Sequence, residues 1–285
     1  MAGSRYEYVK KFETGEDTCL LNTYMVVRID GRGFHKFTSL HSFEKPNDEK
    51  ALRLMNYCGI EVMKQFTDII LGYGQSDEYS FVFRRSSKLF NRRASKIVSC
   101  IVSLFASTYV MSWTKFMGDT VLQVPPQFDG RVVLYPTYKS VKDYVRWRQV
   151  DCHINNLFNT CFWNLVKTGL SNAEARARLT GTRSNEKQEL LFSSFGINYN
   201  NEPLLFRKGS TLLWSEDAQP KSNVDEEASK SLVSSTESTE VEKETSKPLR
   251  GRKRPRRKLE ASHIDMIKES FWQDKRKLFE VDSYE

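Results

Sequence analysis

No C-x-x-C pair occurs in this chain. Its five cysteines, at positions 19, 58, 100, 152 and 161, are odd in number and irregular in spacing. Most stand in apolar surroundings, where cysteine acts as a small hydrophobe. That pattern argues against a disulfide scaffold and for a reducing compartment. The first residues, Met1-Ala2-Gly3-Ser4-Arg5-Tyr6-Glu7-Tyr8, lack the apolar run of a secretory leader. No apolar stretch reads as long enough to span a bilayer, so no membrane partner is expected. There is no internal repeat, and nothing suggests a Ser-His-Asp triad.

What is present is length, aromatic side chains and positive charge. The 285 residues allow one large or two small domains, and an aromatic content of 12% supplies a core. A net charge of +8 and a pI near 9.1 point to a polyanionic partner, since nucleic acid is held mainly through its phosphates.

Hydrophobic patterning gives a coarse element order. Residues 25–30 read as a buried strand, and a helix follows over 48–66, capped by Asn47. Asp68–Leu71 and Tyr79–Phe83 read as two strands of a hairpin around a Gly72–Asp77 turn. A second helix is expected over 91–115 and a strand over Arg131–Tyr135. The order β-α-β-β-α-β predicts an α+β fold of ferredoxin-like type, with strands 1 and 3 side by side. That arrangement makes neighbours of Asp30 and Asp77, which lie far apart in sequence. Residues 137–195 read as helical. Ser171 to Glu174 forms a capping box, and Gly181 closes the helix it opens. Leu212-Leu213-Trp214 reads as a short strand, and Ile264 to Phe279 has helical spacing and is expected to dock on the core.

Two acidic segments carry the chemistry. Asp30 ends the run Met25-Val26-Val27-Arg28-Ile29 and is followed by Gly31 and Gly33; Asp77 and Glu78 follow Gly72-Tyr73-Gly74. Each places a carboxylate where an apolar strand meets a turn. Asp-Gly alone is a common turn pair. Two such carboxylates on adjacent strands form a cradle for two divalent ions, which can hold a nucleoside triphosphate. The Gly31–His35 turn can offer successive backbone N–H groups to phosphates.

Several long motifs then resemble one family. They are Val27-Arg28-Ile29-Asp30-Gly31-Arg32-Gly33-Phe34-His35, Lys45-Pro46-Asn47-Asp48, Gly74-Gln75-Ser76-Asp77-Glu78-Tyr79-Ser80-Phe81 and Arg92-Arg93-Ala94-Ser95-Lys96. Trp147-Arg148-Gln149-Val150-Asp151-Cys152-His153-Ile154-Asn155-Asn156 and Asn198-Tyr199-Asn200-Asn201-Glu202 complete the set. The sequence resembles the eukaryotic tRNA-histidine guanylyltransferases over about residues 1–214, and again over 263–272. The resemblance implies a polymerase-palm-type sheet working in the 3′ to 5′ direction, with an additional C-terminal helical region. It also implies ATP-dependent adenylylation of the 5′ end of histidine tRNA, attack by the GTP 3′-hydroxyl, and removal of pyrophosphate.

By that resemblance Asp30, Asp77 and the Gly31 carbonyl hold two Mg²⁺ ions. Glu78 either holds a metal-bound water or faces solvent at the strand start. Arg32, Gly33, Phe34, His35, Lys45 and Ser76 join Asp30, Gly31 and Asp77 around the nucleotide. Arg28 sits in a strand and needs an anionic partner. It is assigned with Asp48, Arg93, Lys96, His153, Asn156 and Lys187 to tRNA binding or 5′ activation. Arg93 and Lys96 are expected to share a helix face, with Arg92 and Arg93 as a phosphate clamp. Cys152 and His153 are adjacent on a helix and point apart, which argues against a nucleophile pair. The competing readings of the chain are a template-dependent 3′–5′ polymerase repairing tRNA 5′ ends, a nucleotide cyclase and a non-catalytic RNA-binding module.

The expected organisation is a palm-like catalytic domain over 1–136 and a mainly helical tRNA-recognition region over 137–215. A disordered insertion over 216–258, first acidic and then basic, precedes a C-terminal segment over 259–285. The insertion ends in Arg250–Lys258, which carries seven positive charges and resembles a nuclear localisation signal. A nuclear or cytoplasmic location is expected, and the resemblance implies a homotetramer built as a dimer of dimers.

Overall fold

Tyr24–Gly31 forms β1, a strand in which Met25, Val26, Val27 and Ile29 are wholly buried. The computed structural model describes Glu7, residues 17–216 and residues 257–280. Within them β1 belongs to a six-stranded sheet with β2 (Ile69–Gln75), β3 (Glu78–Phe83), β4 (Phe128–Tyr135), β5 (Ser210–Glu216) and β6 (Arg257–Ser262). The spatial order is β4-β1-β3-β2-β5-β6. β1 runs antiparallel to both β3 and β4, and β2 antiparallel to β3 and β5. Every residue of β2 and β3 is buried, which is why both read as nearly continuous apolar runs.

The hairpin differs from the sequence expectation. β2 runs through Gly72 and Gly74 to Gln75, so the turn is only Ser76-Asp77, with Ser76 at φ 49 in the left-handed region. Gly74 serves packing and not turning. It lies opposite Tyr79, and a Cβ on it would collide with the Tyr79 ring. Gly59 leaves room for the same ring, since its Cβ would stand 2.6 Å from Tyr79 Cζ. We expect Gly74→Ala to lower stability by about 1–3 kcal/mol through displacement of Tyr79, read as a lower melting temperature.

The helices are α1 (Phe34–Leu40), α2 (Glu49–Gln65), α3 (Ala94–Met117), α4 (Tyr138–Lys167), α5 (Asn172–Leu179), α6 (Ser184–Phe195), α7 (Leu204–Lys208) and α8 (Glu269–Glu280). α1 was not expected; it follows directly on the Gly33 turn because Phe34 and Phe37 pack against Tyr109 of α3. α2 is capped by Asp48, whose carboxylate accepts the Ala51 N–H at 3.0 Å. Asn47, the expected cap, instead donates to the Asn156 side chain. The Thr137–Ser140 box opens α4, and the Ser171–Glu174 box opens α5 as its sequence indicates.

α3 corrects the reading of apolar length. Its 24 residues are long and apolar enough to cross a membrane by length and composition. Here one stripe of it, Ile97, Ile101, Phe105, Tyr109, Trp113 and Met117, is buried inside the protein. A helix with one buried apolar stripe and few charges on its other face passes the same test as a spanning one.

α4 packs against the sheet on the side of Tyr24, Val26, Leu71, Tyr73 and Val82, through Val141, Tyr144 and Val145. Met266, Phe271, Trp272 and Phe279 of the C-terminal segment join that same cluster. Polar ties accompany them. Trp272 Nε1 donates to the Met266 carbonyl at 2.6 Å, and the hydroxyls of Tyr24 and Tyr138 donate to the carbonyls of Phe279 and Trp272. Residues 1–213 and 259–285 make one compact unit; Trp214–Lys258 makes a second, of which only the last residues of β5 and the first of β6 are described. The acidic stretch and most of the basic cluster Arg250–Lys258 therefore lie outside the described residues.

Candidate active site

Side chains alternate across a strand, so Tyr24, Val26, Arg28 and Asp30 share the face of β1 that looks toward α4. Asp30 closes that row. Pairing places it opposite Glu78 of β3 on one side and Asp129 of β4 on the other. The Gly31 N–H donates to the Asp77 carbonyl at 3.1 Å, which draws the Ser76-Asp77 turn onto the end of β1. Asp30 and Asp77 thus converge as their sequence context indicates.

The electrostatics record that crowding. Burial, and then the charge of Asp30, raise the Asp77 pKa; the Ser76 hydroxyl, donating to Asp77 Oδ1 at 3.0 Å, pulls it partly back. Burial and Asp129 raise Asp30, against Arg28, Arg131 and Arg148. Glu78 is also raised by burial, while Arg148 and Arg28 act against that shift. Carboxylates that raise one another in a desolvated corner make a site whose negative charge a bound cation relieves. Among the described residues no group of three His, Cys, Asp or Glu side chains is gathered as a metal cluster.

Two cavities meet at Ser76 and Asp77. One, of about 420 Å³, is lined by Arg28, Asp30, Glu78, Arg148, Asp151 and Asn155 among others. The other, of about 390 Å³, is lined by His35, Lys45, Asp48, Phe158, Trp163 and Arg176 among others. Lys45 donates to the Thr38 hydroxyl at 2.9 Å and stands 5.8 Å from the Trp163 ring; burial lowers its pKa. Arg28 has no hydrogen bond or ion pair among the described residues and lies opposite Arg131, so like charges face each other across β1 and β4.

Other assigned residues are placed differently. Glu78 does not face solvent. It is 8% exposed and accepts from Arg148 Nη1 at 3.0 Å. Of the five amides in the Gly31–His35 turn, Gly31 donates to Asp77 and Arg32 to Gln127 at 2.8 Å, which leaves the start of α1 for a ligand. Both carboxylate oxygens of Asp48 accept backbone N–H groups, from Ala51 and Glu44. Arg92 is no phosphate clamp. At 2% exposure its guanidinium donates to the carbonyls of Cys19, Leu20, Thr23 and Ser87, holding loops together. Arg93 precedes α3 as its cap, so it and Lys96 do not share a helical face; Lys96 lies over the Phe90 ring at 4.8 Å. Both stand near the Thr23 end of β1, opposite the end that carries Asp30. Lys187 donates to the carbonyl and hydroxyl of Thr182, each at 2.7 Å, and lines neither cavity.

His153 and Asn156 enter a shared polar network. Asn156 is buried, accepts from Asn47 at 2.9 Å and donates to the Tyr199 hydroxyl at 3.0 Å; the His153 ring stands against Tyr199. Burial, with Lys208 and Arg207 nearby, lowers the His153 pKa and so favours the uncharged ring. Two residues were missed. Asp129 lies in Phe128-Asp129-Gly130, where β4 starts three residues before the expected strand. Arg148 stands inside a quoted motif, but only the packing of α4 shows that it meets Glu78.

Comparisons with known proteins bear on the family and the fold. A family model described as tRNAHis guanylyltransferase matches residues 6–136, and a second, described as the Thg1 C terminal domain, matches residues 139–268. A Bos taurus protein named probable tRNA(His) guanylyltransferase is 46% identical over 288 residues, covering 99% of this chain and 90% of its own. The crystal structure of the Saccharomyces cerevisiae tRNA(His) guanylyltransferase superposes with a TM-score of 0.70 at 51% identity, covering 73% of this chain and 92% of that one. A bacterial Thg1-like protein in complex with ATP, 24% identical with a TM-score of 0.63, covers 74% of this chain and 88% of its own and shares the fold.

Proposed function

The chain belongs to the tRNA(His) guanylyltransferase family, and from that premise we propose that it adds a guanylate to the 5′ end of histidine tRNA. The observation that carries the proposal is the convergence of Asp30 and Asp77 where two cavities meet, one space for each of two phosphate-bearing substrates. The strand order β4-β1-β3-β2, with α2 and α3 as its connections, is read as a ferredoxin-like, polymerase-palm-type sheet.

The resemblance to the family implies three steps. An oxygen of the tRNA 5′-monophosphate attacks the α-phosphorus of ATP, and pyrophosphate leaves. The 3′-hydroxyl of GTP then attacks the activated 5′ phosphorus, losing its proton as AMP departs. Water finally removes pyrophosphate from the added nucleotide. Catalysis of such transfers rests on positioning and charge neutralisation. Lys45 supplies a cation at one cavity, and Arg28 an unpaired one at the other. Ser76, exposed beside Asp77, and the amides at the start of α1 with His35 contact phosphate. Asp30, Asp77 and the Gly31 carbonyl suit Mg²⁺ because hard carboxylate oxygens that repel one another fit a small cation completing its shell with water. When bound, two such ions neutralise the triphosphate and acidify the attacking hydroxyl.

The Asn47–Asn156–Tyr199–His153 network joins the loop before α2 to α4, and we assign its His153 side to recognition of the tRNA. Arg93 and Lys96, remote from Asp30 within one chain, fit a homotetramer in which one tRNA touches more than one subunit. A nuclear or cytoplasmic location remains part of the same reading.

The test is guanylate transfer to histidine tRNA against a tRNA of another anticodon, with ATP and Mg²⁺ present or omitted. We expect transfer to histidine tRNA only, and none when ATP or Mg²⁺ is withheld from a 5′-monophosphorylated substrate. Equal transfer to truncated tRNAs of any anticodon would instead establish the templated repair reaction.

A further inference from the structure

Arg148 has no part in the steps above, yet it is 6% exposed and lies against the candidate carboxylates. Its Nη1 donates to Glu78 Oε2 at 3.0 Å and stands 3.5 Å from Asp151 Oδ2. The Trp147 ring, itself 53% exposed, covers the guanidinium at 3.5 Å from Cζ. The second Glu78 oxygen, Oε1, is buried without a protein partner among the described residues. A carboxylate with one oxygen tied and the other free is oriented for a ligand.

The tie is one of two rungs between α4 and β3. One helical turn earlier, the Tyr144 hydroxyl bonds the Ser80 hydroxyl at 2.7 Å. Positions 144 and 148 of the helix thus hold positions 80 and 78 of the strand. The helix is held in turn from its far side. Gln149, fully buried, donates to the carbonyls of Lys208 and Ile264 at 2.9 Å and accepts the Met266 N–H at 2.7 Å.

The geometry points to Arg148 as a positioning residue for guanylate transfer, fixing Glu78 so that its free oxygen serves the cavity it lines with Asp30 and Asp77. The assignment rests on the proposed function. An arginine suits the task because its planar fork fixes direction as well as charge. A purely structural ion pair would leave both Glu78 oxygens bonded within the protein, and one is not.

The test uses the full chain with Arg148→Ala, Arg148→Lys, Glu78→Gln and the Arg148→Ala/Glu78→Gln double variant. Arg148→Ala is expected to lower kcat roughly 100-fold while KM for GTP and for tRNA moves by less than about threefold. Arg148→Lys recovers part of the loss. In the Glu78→Gln background the same alanine costs less than about threefold more, because the two residues act as a unit. Where Arg148→Ala fails to fold, the lysine variant and the double variant, which buries no unpaired carboxylate, decide the point. Multiplicative losses in the double variant, or a loss confined to KM, overturn the assignment. A parent chain that transfers no guanylate overturns the functional reading alone. Arg148 is then judged from the Mg²⁺ titration of the melting temperature, whose midpoint rises about tenfold in Arg148→Ala if it orients Glu78 and stays put if it does not.

Discussion

Asp77→Asn is expected to abolish guanylate transfer, lowering it by roughly 1,000-fold or more, about 4 kcal/mol of transition-state stabilisation, while tRNA binding stays within a few-fold. Asp30→Ala should do the same. The amide keeps the size of the side chain but loses the charge that would hold a cation at the meeting point of the two cavities. Stability is expected to move the other way. Burial and Asp30 raise the Asp77 pKa, so ionising this group destabilises the fold. That cost is absent below the unfolded value near 3.8 and complete once pH exceeds the raised folded value. In metal-free buffer at pH 7 the asparagine variant should therefore melt above the parent, and the difference should vanish in acid. Added Mg²⁺ should raise the melting temperature of the parent more than that of the variant. A variant that transfers guanylate at the parental rate would sink the cation site. One that melts lower at pH 7 would show that Asp77 is held by bonds and not crowded by charge.

Trp272→Ala should carry the largest structural effect. This side chain is 1% exposed, packs with Phe271, Tyr138 and Phe279, and donates its ring N–H to the Met266 carbonyl. Removing so large a buried ring costs about 3–5 kcal/mol, which in a chain of this size lowers the melting temperature by roughly 10 °C. Among the described residues, none after Ser210 lines either cavity. Activity should nevertheless fall as the segment loosens, since Gln149 joins Ile264 and Met266 to the helix that carries Arg148. A melting temperature within a degree or two of the parent would mean that residues 263–279 add little to the core.

Local pattern sufficed for much of this protein. The apolar run before Asp30 marked β1, the helical spacing after Asp48 marked α2, and the Ser171–Glu174 box marked the start of α5. Local pattern failed where a residue answers to a distant neighbour. Gly74 looked like a turn residue, yet it is glycine because a ring from the next strand lies over it. Arg92 looked like a phosphate ligand, yet it closes loops, because a guanidinium can satisfy several carbonyls as well as one anion. α1 was hidden because its seven residues take their helical form from the aromatic cluster they pack into.

The amino-acid sequence alone determined the family, the β-α-β-β-α-β order and the candidate carboxylates Asp30, Asp77 and Glu78, since turn chemistry, periodicity and long motifs are written in neighbouring residues. Tertiary structure alone decided that Glu78 is buried against Arg148, that Asp129 faces Asp30, and that Arg93 and Lys96 lie at the far end of the sheet. Strand register and helix packing bring together residues that share no sequence neighbourhood, and burial then sets which charges are paired and which are left for a ligand.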